Sequence, residues 1–353
     1  MSTRTGDATD ARPAPSALRL GRRRRAASRR RAVGLLGLLV VALFAVSLMV
    51  GQTFYGPGEV WRVVLGQDVP GASFTVGTLR LPRAVLGLVA GAALGMAGVT
   101  FQTMLRNPLA SPDIIGISAG ASAAAVVGIV VLRVDEALVS VLAIVAALVT
   151  ALVIYLLAYR DGVLGTRLIL IGIGIAAMLD SVVAYVIVRA AAWDLQVAMR
   201  WLTGSLNGAT WGVVLPLVVA AVVLMPALLA QSRQLDLLQH GDDTASALGV
   251  RVERTRLTVI VAAVALIAFA TAAAGPIAFV AFLAGPIAAR IVGAGGSLMA
   301  PAALTGALLV LAADLAGQHL FGTRYPVGVI TGVLGAPYLV YLLVRTNRAG
   351  GSL

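Results

Sequence analysis

Apolar residues in this chain neither alternate nor follow a narrow helical stripe; they come in long blocks separated by short polar, glycine- or proline-containing segments. Crossing a ~30 Å hydrocarbon core at a rise of ~1.5 Å per residue takes about 20 apolar residues. Blocks that meet or approach this length lie near residues 32–51, 82–104, 114–132, 137–158, 167–188, 211–230, 257–274, 277–293, 299–318 and 326–344. The pattern predicts an all-α, polytopic integral membrane protein with about ten transmembrane helices. Ten crossings return the C-terminus to the side on which the N-terminus starts.

The polar remainder orients this bundle. Residues 1–31 are polar and arginine-rich, with runs at Arg22–Arg25 and Arg29–Arg31, and are expected to form a disordered cytoplasmic tail. Ser28-Arg29-Arg30-Arg31 ahead of an apolar run is similar to a twin-arginine export signal. The run Ala32–Val50 is long enough to span, however, and no small-residue cleavage site follows cleanly, so a retained signal anchor is expected. In the ten-span topology the arginines at 62, 80, 83, 133, 189, 200 and 324 lie outside, and the other basic residues lie inside or at the inner boundary. Both termini are therefore expected in the cytoplasm. The transmembrane domain then occupies 32–346, and 347–353 form a short cytoplasmic tail.

Composition sharpens the picture. The chain is 59% hydrophobic and 12% charged, with a mean hydropathy of +0.96, whereas soluble domains carry roughly 25% charged residues. Membrane lipid is thus an expected partner. A net charge of +12 could suit nucleic acid, but ten of the 27 basic residues fall within 1–31 and the rest punctuate the apolar blocks. That distribution follows topology, and no nucleic-acid partner is expected. The absence of cysteine rules out disulfides and thiolate metal sites, and the two histidines, His240 and His319, stand far apart, so no metal site is expected. The chain also has no lysine, and a Walker A motif needs one to reach the nucleotide phosphates. Any ATP hydrolysis driving this protein must occur on another chain; no cofactor and no enzymatic activity are expected of this one.

Several segments invite a functional reading. Gly87, Gly91 and Gly95 recur every fourth residue on one helical face, a spacing that lets helix backbones approach closely. Gln102-x-x-x-Arg106-Asn107-Pro108-Leu109-Ala110-Ser111-Pro112 follows, then Gly116-Ile117-Ser118-Ala119-Gly120. The turn reads either as a set of satisfied caps or as a substrate contact. The second string mimics G-x-S-x-G but lacks the strand-to-helix elbow a nucleophile needs. Gly275-Pro276 and Gly285-Pro286 predict interruptions, as a tight turn or as a break lining a path. The longest interior polar segment, 231–256, carries Gly241, Asp242, Asp243, Ala245, Leu248 and Gly249; it reads either as a plain charged inter-helix loop or as a docking helix whose acids suit its N-terminus and whose Ala245 and Leu248 form a short apolar face. Asp180 and Asp314 are acids inside apolar blocks, which calls for a pathway or a packing role.

Taken in order, Leu79–Ser122, Arg167–Gly174, Gly241–Gly249, Gly275–Arg290, Leu311–Asp314 and Pro326–Pro337 resemble the permease subunits of iron–siderophore and cobalamin ABC importers over about 33–346. Many relatives have Val-Pro-His at Ala284-Gly285-Pro286 and Glu-Leu-Pro at Arg324-Tyr325-Pro326; the variants here look like the ferric-siderophore, ferric-enterobactin-like branch. The resemblance implies a cobalamin-importer-like permease fold in a bacterial cytoplasmic membrane. It also implies two ABC ATPase subunits carrying ATP and Mg, a second permease subunit, and an extracytoplasmic siderophore-binding protein. Gly241, Asp242, Asp243, Ala245, Leu248 and Gly249 become the ATPase-coupling element. Arg80, Arg83 and Arg324 become binding-protein docking residues, with interfacial snorkelling as the alternative for the first two. Gly172, Met178 and Asp180 belong to the translocation path, and Gly87, Gly91, Gly95, Asn107, Pro108 and Pro112 to a structural signature. The expected function is ATP-driven uptake of a ferric siderophore by alternating access. The alternatives are a cobalamin or haem permease and a proton-coupled secondary transporter working through Asp180 and Asp314.

Overall fold

The computed structural model describes residues 15–113, 116–159, 165–293 and 295–348. These residues are helical with short connections and contain no strand. Helix α1 runs Pro15–Met49, α2 Pro57–Val64, and a π-helical turn Ser73–Arg80 leads directly into α3, Leu81–Met104. Then come α4 (Ile117–Val127, extended by a π turn Gly128–Leu132), α5 (Glu136–Ala158), α6 (Gly165–Val188) and α7 (Ala192–Leu202). The remainder is α8 (Trp211–Ala230), α9 (Ser232–Leu238), α10 (Asp242–Ala247), α11 (Val252–Ala274), α12 (Val280–Val292), α13 (Met299–His319) and α14 (Val327–Arg348). Among the described residues, seven helices are long and apolar enough to cross a membrane, and three shorter apolar ones stand at 117–132, 280–292 and 327–342. Together they occupy the ten expected blocks.

Two boundaries differ from expectation. Residues 15–31 are helical and continuous with the first apolar block, because Ala, Leu and Arg are good helix formers and no Pro or Gly pair separates the arginine run from the span; residues 1–14 lie outside the described residues. At the other end α14 extends to Arg348, into the expected tail.

Helix α3 is the hub. Of the most apolar window in the Ser73–Met104 helix, 78% is buried, and α3 packs on α13, α11, α12 and α8. Lipid tails are as apolar as the side chains, so helices here associate by close packing and satisfied polar groups. The glycines allow that approach. A methyl group added to Gly91 would lie 2.5 Å from the Gly306 carbonyl oxygen of α13, and one on Gly95 or Gly98 would overlap the carbonyls of Ala302 and Ala281. Gly87 instead faces the side chains of Leu206 and Leu311.

Proline chemistry explains a second contact. Pro286 lies inside α12 and has no N–H for the carbonyl of Phe282, four residues earlier. Gln102 of α3 donates its Nε2 to that oxygen at 3.0 Å. The Gly275-Pro276 pair makes a tight turn between α11 and α12: Gly275 adopts φ 70° and the preceding carbonyl, Ala274, accepts the Ser205 N–H at 2.7 Å.

Candidate functional site

At the Met104 end of α3 the chain turns sharply, with Arg106 at φ 53°. The Asn107 side-chain oxygen accepts the Leu109 N–H at 2.9 Å, closing a local turn around Pro108. This frees the Arg106 side chain to reach 136 residues along the chain. Its Nε donates to the Leu238 carbonyl at 2.9 Å, and its Nη2 meets Asp242 Oδ1 at 2.5 Å. Arg256, in the first turns of α11, donates to both oxygens of the same carboxylate at 2.9 and 2.7 Å. Asp242 is the first residue of α10, where the helix dipole also favours its negative charge. One carboxylate thus ties α10 to α3 and α11.

Helix α10 is bracketed by Gly241 at φ 110° and Gly249 at φ 84°, conformations that favour glycine and let a single turn of helix stand out from the bundle. Ala245 is fully buried beneath it, while Asp243 and Leu248 are exposed, Leu248 by 61%. The expected apolar face is therefore split: Ala245 anchors the helix and Leu248 points away. The structure brings all six proposed coupling residues to one protruding element and adds two that were not singled out for it, Arg106 and Arg256.

The rest of the signature turn is a closed polar knot. Ser118 donates to Asp113 at 2.7 Å, and the Asp113 N–H donates to Ser111 at 3.3 Å. Burial pushes the Asp113 carboxyl above the usual carboxylate range, opposed by hydrogen bonds from Ser118 and Ser111. Ser118 is a hydrogen-bond donor to a helix entry and not an activated nucleophile.

Two of the predicted docking arginines, Arg80 and Arg83, lie at the opposite end of α3 and have partners within the chain. Arg83 forms a bidentate pair with Asp314 of α13 at 2.9 and 2.7 Å and donates to Asn207 at 2.5 Å. Gln318 also donates to Asp314, at 2.7 Å. Arg80 donates to the carbonyls of Leu48, Met49 and Thr53 and lies 5.2 Å from the Tyr55 ring centroid. These groups staple α1 and α13 to α3. A first-span end and a mid-block aspartate supply them with acceptors that the linear order of residues does not reveal. Arg324 is exposed, with no ion pair among the described residues. A cavity of about 500 Å³ opens between α5, α7 and α11, lined in part by Arg133, Glu136, Asp194, Arg200, Trp193 and Trp201.

Helix α6 carries the predicted path residues. Gly172 is buried against the start of α4, whereas Met178 is 70% exposed and Asp180 is exposed without an ion pair among the described residues. Only 11% of the most apolar window of α6 is buried, the least of the seven long spans. Leu170, Ile173, Tyr185 and Val188 extend the same uncovered surface. An acid inside a span faces a protein interior or water far more readily than lipid.

A bundle of ten apolar helices with a short, pinned helix at one end and an uncovered acid-bearing span is the architecture of a polytopic membrane protein. The chain belongs to the FecCD transport family, whose model matches residues 38–345. It is 41% identical over 321 residues to the ferric enterobactin transport system permease protein FepG of Escherichia coli (strain K12), covering 88% of this chain and 97% of that one. It is 39% identical over 320 residues to the achromobactin transport system permease protein CbrC of Dickeya dadantii (strain 3937), covering 90% and 92%. A solved inward-facing structure assigned to the metal-chelate type of ABC transporter superposes with a TM-score of 0.80 at 27% identity, covering 90% of this chain and 99% of that one.

Proposed function

We propose that this chain is the permease subunit of an ATP-driven importer for a ferric siderophore in a bacterial cytoplasmic membrane, with both termini in the cytoplasm. The observation that carries the reading is the clamp on α10. A helix of one turn offers Leu248 and Asp243 outward, and Asp242 passes any displacement of it to Arg106 after α3 and to Arg256 in α11. These two spans are the most buried of the long helices, so movement at α10 reaches the centre of the bundle. ATP hydrolysis takes place on partner ATPase subunits that receive α10 in a groove. A second permease, identical or homologous, covers the α6 face, and the chelate passes between the two beside Met178 and Asp180. An extracytoplasmic binding protein delivers it at the end carrying Arg324 and the cavity of Arg133 and Arg200, where exposed charge steers docking. Arg80 and Arg83 serve there as struts.

The test is uptake of radioactive iron into proteoliposomes holding the permease pair, with binding protein loaded from a panel of catecholate, hydroxamate and citrate chelates. ATP-dependent uptake that needs the ATPase subunits is expected. Uptake that persists without them and collapses with the proton gradient would sink the proposal and favour proton coupling through Asp180.

A further inference from the structure

We propose that the arginine collar of α1 is a binding site for anionic phospholipid headgroups. The inference is independent of the transport reading, since it rests only on α1 being a membrane span.

Helix α1 continues without a break from its apolar half into Arg23–Arg31, so the faces of the two halves can be followed along 3.6 residues per turn. Arg29 shares its stripe with Leu36 and Val40, seven and eleven residues on, and these are buried at 3% and 5% exposure. That stripe faces the protein. Arg29 accordingly donates to the carbonyls of Gly295 and Ser297 in the loop before α13. Arg25, four residues before Arg29, lies near the same stripe and is exposed, and four further arginines fall on other faces. Arg24 and Arg31 align with Leu38, and Arg23 and Arg30 with Val41; Leu38 and Val41 are each 64% exposed. These are surfaces an isolated bundle turns to lipid tails. The same surfaces, carried past the end of the apolar run, present four exposed guanidinium groups.

Those four have no acidic partner among the described residues, and α1 contains no acid; Arg30 makes a long bond, 3.4 Å, to the Ala26 carbonyl within its own helix. Arg30 and Arg31 stand at the edge of the apolar run, and Arg23 and Arg24 about 10 Å further along the axis. Both levels lie within about a Debye length of a charged membrane surface. Flexible arginine side chains reach back toward that surface while their stems cover the helix. Guanidinium forks match phosphate oxygens in pairs. The occupant these features select is a phosphodiester headgroup with net negative charge, held by lipid whose tails lie on Leu35, Leu38 and Val41.

The full-length chain, purified in a neutral detergent, is titrated with phosphatidylglycerol or phosphatidylcholine and retained lipid is counted by native mass spectrometry. Preferential retention of phosphatidylglycerol, weakening as salt rises, is expected. The R23Q/R24Q/R30Q/R31Q variant should lose about fivefold in affinity per arginine, and R24Q/R31Q should show an intermediate loss with more of the insertion charge intact. R324Q, at the far end of the bundle, should match the parent. Equal retention of the two lipids by the parent chain overturns the proposal, as does an unchanged preference in both collar variants. Displacement of the lipid by millimolar glycerol phosphate would mark a site for free phosphate and also overturn it. So would variants that keep phosphatidylglycerol but lose co-purifying ATPase subunits, which would make the collar a protein-docking surface.

Discussion

Replacing Arg83 by alanine removes the counter-charge of an aspartate buried between two spans. The Asp314 side chain is 6% exposed and the Arg83 side chain 20%, so the two ends of the pair differ in what they can do when left alone. An orphaned Asp314 keeps only the Gln318 hydrogen bond and is largely shielded from water. An orphaned Arg83 keeps Asn207 and lies nearer the surface. Breaking a buried pair by deleting one partner destabilises by about 3–5 kcal/mol, because a charge stays behind uncompensated. We expect R83A at the upper part of that range and D314N well below it, since Asn keeps the shape, accepts a hydrogen bond and leaves the more exposed partner unpaired. In scanning fluorimetry of the detergent-purified chain, R83A should melt roughly 5–10 °C below the parent, with D314N nearer the parent and R83A/D314N above R83A alone. A binding-protein pull-down on the same samples separates the strut from a docking residue. If R83A melts with the parent while losing the binding protein, Arg83 is a docking residue and the strut argument is wrong.

Three further outcomes follow from the geometry. Gln102→Leu leaves the Phe282 carbonyl without a donor and should lower stability by about 1–3 kcal/mol; Pro286→Ala restores an intrahelical N–H, so the double variant should recover part of that loss in the same melting assay. Gly91→Ala forces a methyl group onto the Gly306 carbonyl and should destabilise by about 1–3 kcal/mol, whereas Gly174→Ala, with open space around it, should be neutral or stabilising by up to about 1 kcal/mol. The carboxyl of Asp113 has a raised pKa, so the folded state holds its proton more tightly than the unfolded chain; its contribution to stability is fully present below the unfolded pKa and falls as pH rises through the folded one. D113N should therefore match the parent at low pH and exceed it above the folded pKa, and parallel melting curves across that window would contradict the assignment.

Hydropathy blocks alone determined the all-α membrane architecture, because in lipid every backbone group must be satisfied within a helix or closed sheet and span length is set by bilayer thickness. The order of motifs along the chain determined the family, and the glycine spacing marked α3 as a packing surface. Local pattern also marked Gly241–Gly249 as a short helix with acids at its start, since helix-terminus preferences act within one turn. What the chain could not show was which charges meet. Arg83 and Asp314 are separated by 231 residues and Arg106 and Asp242 by 136, and nothing in either neighbourhood names the partner. An arginine at a span end reads the same whether it faces a binding protein, a headgroup or a buried acid; only the packing of α13 on α3 brings Arg83 to Asp314. The arginine run before the first span shows the converse. Its charge was plain from composition, but the continuous α1 helix decided that Arg29 grips the bundle while Arg23, Arg24, Arg30 and Arg31 face outward, because side-chain direction is set by helical phase and by what the helix lies against.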